Sequence, residues 1–375
     1  MTALALLGGM ALLVAGGEVL VRGASGLARL LGLSPLVVGL TVVSFATSTP
    51  ELAVTARASL AGSPGLAVGN VVGSNIANIL LVLGIAGLIL PLVVQLPVVR
   101  RDVPVMIGLS GLLWVLSLDG AVSRTDGLLL LVLLLAYLAW ALLRTGRRRV
   151  PVTAAQAQAE ASPSPRGARP ALALGGLVVL GVAMLAIGAQ WLVAAATDVA
   201  LTLGLSELVV GLTVVAIGTS LPELATSVIA AIRGNLEMAV GNAVGSCIVN
   251  IGAVMGISAL LSPGGVPVDA GASGFDLPMM LAVAVALLPI AFTGFVIRRW
   301  EAALFVAYYT AYVTYLLLRS AEHAVLAPFS SVMLLFVAPL TGLTLVLLAT
   351  YEIGLRRGRG QRVLDDVDPP GRDSR

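Results

Sequence analysis

Residues 39–51 read GLTVVSFATSTPE, and residues 211–223 read GLTVVAIGTSLPE. Nine of these thirteen positions are identical. A second pair of segments matches at the same offset of 172 residues, because residues 69–78 (GNVVGSNIAN) correspond to residues 241–250 (GNAVGSCIVN). The sequence therefore predicts a duplicated half, and each copy carries one glutamate inside an apolar run.

The composition is that of a membrane protein. Hydrophobic residues make up 58% of the chain and charged residues 11%, whereas soluble domains have about 25% charged residues. The single cysteine, Cys247, excludes an intramolecular disulfide. The basic residues fall in loops and tails, where they orient a chain in the bilayer, and do not indicate nucleic-acid binding. We expect an all-α polytopic membrane protein in contact with the lipid bilayer, with no nucleic-acid partner.

Eleven segments are apolar enough to be spanning helices, which need about 20 residues each. They are 2–21, 36–60, 66–90, 103–118, 125–144, 170–194, 207–231, 238–261, 277–296, 302–319 and 326–350. The last is interrupted by Pro328 and Pro339 and has no counterpart in the first half. We expect a first five-helix repeat over 1–144, a polar linker over 145–169, a second five-helix repeat over 170–320, an additional helix over 321–352 and a disordered tail over 353–375.

The arginines predict the orientation of the chain. With the N-terminus outside and eleven alternating helices, one face receives 19 arginines and the other only Arg57, Arg124 and Arg319. Positive charge marks the cytoplasmic face, so the linker and the tail are expected in the cytoplasm and the N-terminus outside the cell membrane. The repeated stretches then lie in the second and seventh helices, which cross in opposite directions. Inverted repeats of this kind are typical of secondary transporters that bind substrate near the midplane.

The repeated stretch combines a helix break with a carboxylate. Pro50 lacks a backbone N–H and should interrupt the second helix, which frees carbonyls between Ser44 and Thr47. Glu51 adds a carboxylate, and Thr47 and Ser48 add hydroxyls. The seventh helix repeats this set with Thr219, Ser220, Pro222 and Glu223.

A structural alternative is a capping box, in which Ser48 and Ser220 cap the helices that carry Glu51 and Glu223. We expect this capping, but it contributes only about 1 kcal/mol. A charge at the bilayer centre costs roughly 2.5–3.5 kcal/mol, so two bare glutamates would cost about 5–7 kcal/mol without a ligand or a proton. Capping alone therefore does not explain the depth of the two acids.

Polar side chains also follow one face of the third helix, where Asn70, Ser74 and Asn78 are spaced by four residues. The small-xxx-small spacing of Gly69 and Gly73 beside them favours close helix contact, so a purely structural role for this face is the alternative. All the donors of the repeated segments are hard oxygens, which suit Ca²⁺ and Na⁺. The eighth helix repeats the series as Asn242, Ser246 and Asn250, beside Gly241 and Gly245.

At these residues the chain resembles the sodium/calcium exchanger branch of the cation/calcium antiporter superfamily, in particular its short prokaryotic members. The resemblance covers roughly residues 5–320 and rests on the paired GTSxPE and GNxxGSN motifs. It implies exchange of Ca²⁺ for Na⁺, with Glu51 and Glu223 bridging Ca²⁺ between flanking sodium sites, and with the first and sixth helices sliding past a stable core. The ligands that it implies are Ser44, Thr47, Ser48, Glu51, Ser74, Asn78, Ala216 (through its carbonyl), Thr219, Ser220, Glu223, Ser246 and Asn250.

Some positions depart from the pattern of the family. The first copy has Ser-Phe-Ala at 44–46 where the family prefers Ala-Ile-Gly, and Cys247 replaces an asparagine. Asn250 stands where some members have aspartate, which leaves two carboxylates and makes potassium coupling less favoured. The proton/calcium branch carries acids near Ser74 and Ser246, and their absence here favours sodium over protons.

Two other transport functions stay open. One is a Ca²⁺/H⁺ or other divalent cation/H⁺ antiporter, in which Glu51 and Glu223 alternate between proton and metal. The other is a cation channel with a glutamate-lined pore. A membrane enzyme is least favoured, since the sequence has no nucleophile–base pair, HExxH motif or phosphate loop. We therefore expect a transporter without enzymatic activity, cofactor or obligate protein partner, whose substrates are Ca²⁺ and Na⁺.

Overall fold

The computed structural model describes residues 2–145, 168–202, 216–321, 323–337, 339–344, 346–347, 350 and 354. Most of the predicted linker and tail lie outside these residues, as do residues 211–215 of the second repeated stretch. The described part of the chain is almost entirely helical, which confirms the predicted all-α membrane class.

The first half contains six helices and two very short strands. The helices are α1 (Thr2–Leu31), α2 (Pro35–Thr47), α3 (Thr49–Leu60), α4 (Pro64–Ile89), α5 (Val103–Leu116) and α6 (Arg124–Thr145). The strands are β1 (Leu92–Val93) and β2 (Ala121–Val122).

The second half repeats this order and then adds one helical segment. Its helices are α7 (Ala168–Thr202), α8 (Ala216–Thr219), α9 (Leu221–Ile232), α10 (Leu236–Leu261), α11 (Leu277–Phe292) and α12 (Arg299–Ser320). Strands β3 (Val266–Pro267) and β4 (Val296–Ile297) flank α11. The added segment is α13 (Leu326–Val332), which continues as the π turn Met333–Val337.

Eight helices of the described chain are long and apolar enough to cross a membrane. A ninth span results if α2 and α3, which meet at a bend of 43°, are taken together. This bend confirms the break predicted from Pro50. The prediction that the break frees the Ser44 carbonyl was wrong, because Ser44 lies six residues before the proline and its carbonyl accepts from the Ser48 N–H at 3.0 Å. The two remaining sequence candidates correspond to α5, with 14 residues, and to α9, with 12 residues and a predecessor that is only partly described. The count of eleven spans therefore stays a prediction.

Short antiparallel strand pairs join the two halves. In the first pair, between β1 and β4, Leu92 lies opposite Ile297. In the second pair, between β2 and β3, Val122 lies opposite Val266. Each pair takes one strand from each half, and exchanging the halves converts one pair into the other, as an inverted duplication requires.

The helices α1 and α7 are equivalent by the offset of 172 and pack antiparallel along glycines. A Cβ atom added at Gly9 would lie 2.8 Å from the Gly188 carbonyl oxygen, and one added at Gly181 would lie 2.6 Å from the Leu20 nitrogen. Only glycine permits backbones to approach this closely. This pair flanks a centre formed by α4 and α10. In an apolar stretch of 18 residues, 72% of α4 and 83% of α10 is buried inside the protein, compared with 22% of α6 and of α7.

Gly181→Ala should destabilise the protein, because its methyl group would force α1 and α7 apart. Overpacking of this kind costs about 1–3 kcal/mol. Gly176→Ala is the matched control on the same helix, since a Cβ at this exposed position meets no described atom within 4 Å and alanine favours helix over glycine. Thermal unfolding in detergent measures both variants, and an unchanged midpoint for Gly181→Ala would contradict the close packing.

Candidate functional site

Helix breaks occur at equivalent positions of the two halves. Ser48 separates α2 from α3 with φ −79° and ψ 3°, and Ser220 separates α8 from α9 with φ −88° and ψ 3°. Pro50 and Pro222 lie in the first turn of α3 and α9, where a missing N–H is tolerated. The breaks therefore place Glu51 and Glu223 in the first turns of α3 and α9, where both side chains are buried.

The two repeated glutamates meet at these breaks. Glu51 and Glu223 are fully buried, and their carboxyl groups are close enough to interact with each other. Within the described ranges, neither carboxylate forms an ion pair with an arginine. Two adjacent buried carboxylates repel each other unless a cation or a proton compensates their charge.

The serines at the breaks do not cap the helices, so the capping-box prediction was wrong. The hydroxyl of Ser48 donates to Glu223 Oε1 of the other repeat at 3.4 Å. Neither Ser48 nor Ser220 makes a side-chain hydrogen bond to the N-terminal amides of the following helix. The reason is the backbone conformation, since a capping residue normally has extended ψ and both serines have ψ near zero.

A group of buried polar atoms has no hydrogen-bond partner within the described part of the protein. Almost all buried polar atoms in folded proteins are hydrogen-bonded, so a concentration of unpartnered ones indicates a ligand site. Among them are both carboxylate oxygens of Glu51, Glu223 Oε2, the hydroxyls of Ser74, Ser220 and Ser246, and the side-chain amides of Asn78 and Asn250.

The helices α4 and α10 each contain a π turn that begins at a predicted ligand. The turns are Asn78–Val82 and Asn250–Met255. Helix α3 packs against the π turn of α10, and α9 packs against that of α4. Each asparagine therefore lies beside the helix that carries the glutamate of the other repeat. Such π turns are frequent at functional sites, and nothing in the sequence predicted them.

The structure places most of the predicted ligands in the interior. Ser44 lies on α2 with its hydroxyl donating to the Leu40 carbonyl at 2.8 Å. Thr219 is half-buried, and Ala216 begins α8. The role of each residue as a ligand stays a prediction. The buried side chains are those of Ser44, Thr47, Ser48, Glu51, Ser74, Asn78, Ser220, Glu223, Ser246 and Asn250.

Two hydroxyls that support the site were missed from the sequence. In the first repeat, Asn70 Nδ2 donates to Thr55 Oγ1 at 2.8 Å and to the Glu51 carbonyl at 3.3 Å. In the second repeat, the Asn242 amide donates to Ser227 Oγ at 2.9 Å and to the backbone carbonyl of the second glutamate at 3.4 Å. The duplication could have revealed them, because Thr55 and Ser227 are separated by the same offset of 172 and both carry a hydroxyl.

The donor set suits hard cations. In the described ranges, no group of three or more histidine, cysteine, aspartate or glutamate side chains could hold a metal ion. The site instead combines two carboxylates with hydroxyl and amide oxygens, which is the ligand chemistry of Ca²⁺ rather than of a soft transition metal.

Inverted repeats, interrupted helices and a buried carboxylate from each repeat are the features of a secondary membrane transporter. The sequence profile described as "Sodium/calcium exchanger protein" matches residues 1–143 and 173–318. The chain therefore belongs to the sodium/calcium exchanger family, as the motifs predicted.

Two named relatives and a solved structure agree with this membership. The sodium/calcium exchanger MaX1 of Methanosarcina acetivorans is 32% identical over 84% of this chain and 97% of its own length. The putative antiporter CaxA of Alkalimonas amylolytica is 36% identical over 75% of this chain and 86% of its own. A structure of the sodium-calcium exchanger NCX_Mj, soaked with 2.5 mM Na⁺ and 0.1 mM Ca²⁺, has a TM-score of 0.71 and 31% identity, and covers 84% of this chain and 97% of that one. These similarities support cation/Ca²⁺ antiport.

Calcium should raise the thermal unfolding midpoint of the purified protein, because it would bind the folded site and not the unfolded chain. At a concentration of 100 times Kd the stabilisation is about 2.7 kcal/mol. Mg²⁺ at equal concentration is the control, since it demands shorter bonds and a stricter octahedral geometry. Equal shifts with both ions would contradict a specific calcium site.

Proposed function

We propose that this chain exchanges Ca²⁺ for Na⁺ by alternating access at a site between Glu51 and Glu223. The observation that carries the proposal is the pair of adjacent buried carboxylates, among unpartnered oxygens from both repeats. The related exchanger NCX_Mj has been soaked with both Na⁺ and Ca²⁺, which supports the same pair of substrates here.

The charge of the site accounts for the exchange. Two carboxylates match the charge of one Ca²⁺, and Na⁺ accepts the same oxygen ligands with less charge each. When both acids are ionised they repel each other without a cation, so an empty ionised site is disfavoured and replacement of one ion by the other is favoured. A site that both ions use in turn is the minimum requirement for antiport.

The neutral side chains limit where a coupling proton could bind. The hydroxyls of Ser74 and Ser246 and the amides of Asn78 and Asn250 can coordinate a metal ion but carry no proton that exchanges for it. A proton-coupled cycle would therefore depend on Glu51 and Glu223 alone, whereas Na⁺ can use the whole set.

We place the protein in the cytoplasmic membrane, with the face that carries the β1–β4 pair inside. The loops of this pair adjoin Arg100, Arg101, Arg298 and Arg299, and arginine-rich loops stay cytoplasmic. The linker and the tail then lie in the cytoplasm and the N-terminus outside.

Sodium-loaded liposomes containing the protein should take up radioactive Ca²⁺ after dilution into sodium-free medium. Vesicles with equal Na⁺ on both sides should take up little, because no sodium gradient then drives the exchange. Both preparations are measured with and without a pH gradient. Uptake that follows the pH gradient instead would replace this proposal with the Ca²⁺/H⁺ antiporter, and uptake without either gradient would indicate a channel.

Glu51→Gln and Glu223→Gln should each reduce sodium-driven Ca²⁺ uptake to background while the protein still folds, because the amide keeps the shape and removes a buried charge. Glu301→Gln is the matched control. Glu301 is also buried, but its carboxylate accepts a bond from the Arg298 backbone N–H at 2.7 Å and lies outside the site. Its variant should retain uptake even if its stability falls. Normal uptake by both site variants would contradict the proposed site.

A further inference from the structure

The buried Asn242 side chain connects three elements around the candidate site. Its Nδ2 atom donates to Ser227 Oγ and to the Glu223 carbonyl, both on α9. Its Oδ1 atom accepts from the Thr47 hydroxyl of α2 at 3.3 Å. A single amide therefore joins the glutamate-bearing helix of one repeat to the hydroxyl-bearing helix of the other.

These bonds fix which way the amide of Asn242 faces. An amide nitrogen has two hydrogens and no acceptor capacity. Both hydrogens are used on α9, where the Ser227 hydroxyl, which itself donates to the Ala239 carbonyl at 3.5 Å, still accepts one of them. The amide oxygen is consequently held toward Thr47, where it can only accept.

The orientation of the amide decides where the Thr47 hydroxyl hydrogen goes. A hydroxyl has one hydrogen and two lone pairs. Two other acceptors compete for this hydrogen, namely the Ser44 carbonyl at 3.4 Å and the Glu223 carboxylate. Donation to either would compete with a cation for a lone pair of that oxygen. Donation to Asn242 leaves the Glu223 carboxylate for the cation, together with the second lone pair of the Ser44 carbonyl, whose first accepts the Ser48 N–H at 3.0 Å.

The same arrangement recurs in the first repeat, which argues against a coincidence of packing. Asn70 donates to Thr55 and to the Glu51 carbonyl. Asn75, which is also buried on α4, behaves differently, since its amide donates to Met280 Sδ at 3.4 Å. The residue that corresponds to Asn75 in the second repeat is Cys247. By contrast, Asn70 and Asn242, which hold the glutamate carbonyls, correspond to each other.

We propose that Asn242 and Asn70 are positioning residues for the cation site. They hold the backbone of each glutamate, and Asn242 withdraws the Thr47 hydrogen so that oxygen lone pairs face the ion. The asparagines themselves do not ligate the cation. The inference rests on the proposed function, because it assumes that Thr47 and the glutamates contact Ca²⁺.

A double-mutant cycle between Asn242→Leu and Thr47→Val tests the inference, with the Kd for Ca²⁺ measured by titration calorimetry on the purified full chain. Asn242→Leu should raise Kd about tenfold, which corresponds to the loss of about one net hydrogen bond. In the Thr47→Val background the same change should raise Kd much less, because no hydroxyl hydrogen remains to be directed. Thr47→Ser keeps the hydroxyl and should restore the full effect.

Asn75→Leu is the matched control, and it should change Kd by the same factor whether or not Thr47 carries its hydroxyl.

If Asn242→Leu fails to fold, Ser227→Ala serves in its place, because it removes only the acceptor that fixes the amide. It should weaken Ca²⁺ binding with the same dependence on Thr47. If Asn242→Leu and Ser227→Ala raise Kd by the same factor with and without the Thr47 hydroxyl, the inference is overturned while the antiporter proposal stays intact. Absence of Ca²⁺ binding by the wild type would overturn the proposed function and the inference with it.

Discussion

Two carboxyl groups are buried side by side in this protein, and the described residues supply neither of them with a basic partner. When both are ionised they repel each other, and at an effective dielectric constant of 20 two unit charges about 4 Å apart repel by roughly 4 kcal/mol. The scaffold must hold Glu51 and Glu223 against this repulsion, while bare oxygens remain available around them. The helix breaks, the π turns and the asparagine bonds all lie around these two side chains, and we propose that they serve this requirement.

Close backbone contact keeps the site together. A Cβ atom added at Gly241 would lie 2.7 Å from the Leu36 carbonyl, and one added at Gly245 would lie 2.7 Å from the Leu40 carbonyl. These two glycines of the GNxxG segment let α2 lie directly on α10, which confirms the close helix contact predicted for them. The contact brings Thr47 within reach of Asn242. The equivalent prediction for Gly69 and Gly73 concerns residues 208–212, which correspond to 36–40 and lie outside the described part of the chain.

The duplication made the fold and the buried acids predictable, because two copies of one pattern with opposite topology allow few arrangements. The helix break at Pro50 followed from backbone chemistry, and the burial of Glu51 from its position inside an apolar run. The direction of the Ser48 side chain did not, since Ser-x-x-Glu is the same motif whether serine caps its own helix or bonds to the acid of the other repeat. Tertiary contact decides between these two outcomes. The π turns at Asn78 and Asn250 also depend on packing against α9 and α3, and no local signal encodes them.

One ion pair at the surface is not repeated by the duplication, and this asymmetry affects the relative free energies of the two faces. Glu18 of α1 accepts bonds from Arg233 Nη2 at 2.6 Å and Nε at 2.9 Å, at the end of α9. The offset places Gln190 and Ala61 at the corresponding positions, so the opposite face lacks this ion pair. An exposed pair contributes about 0–1 kcal/mol. Alternating access needs two states of similar free energy, and a difference of that size changes their ratio up to about fivefold. In the proposed exchange cycle, surface charge would therefore bias the direction in which the site opens without any change to the proposed ligands.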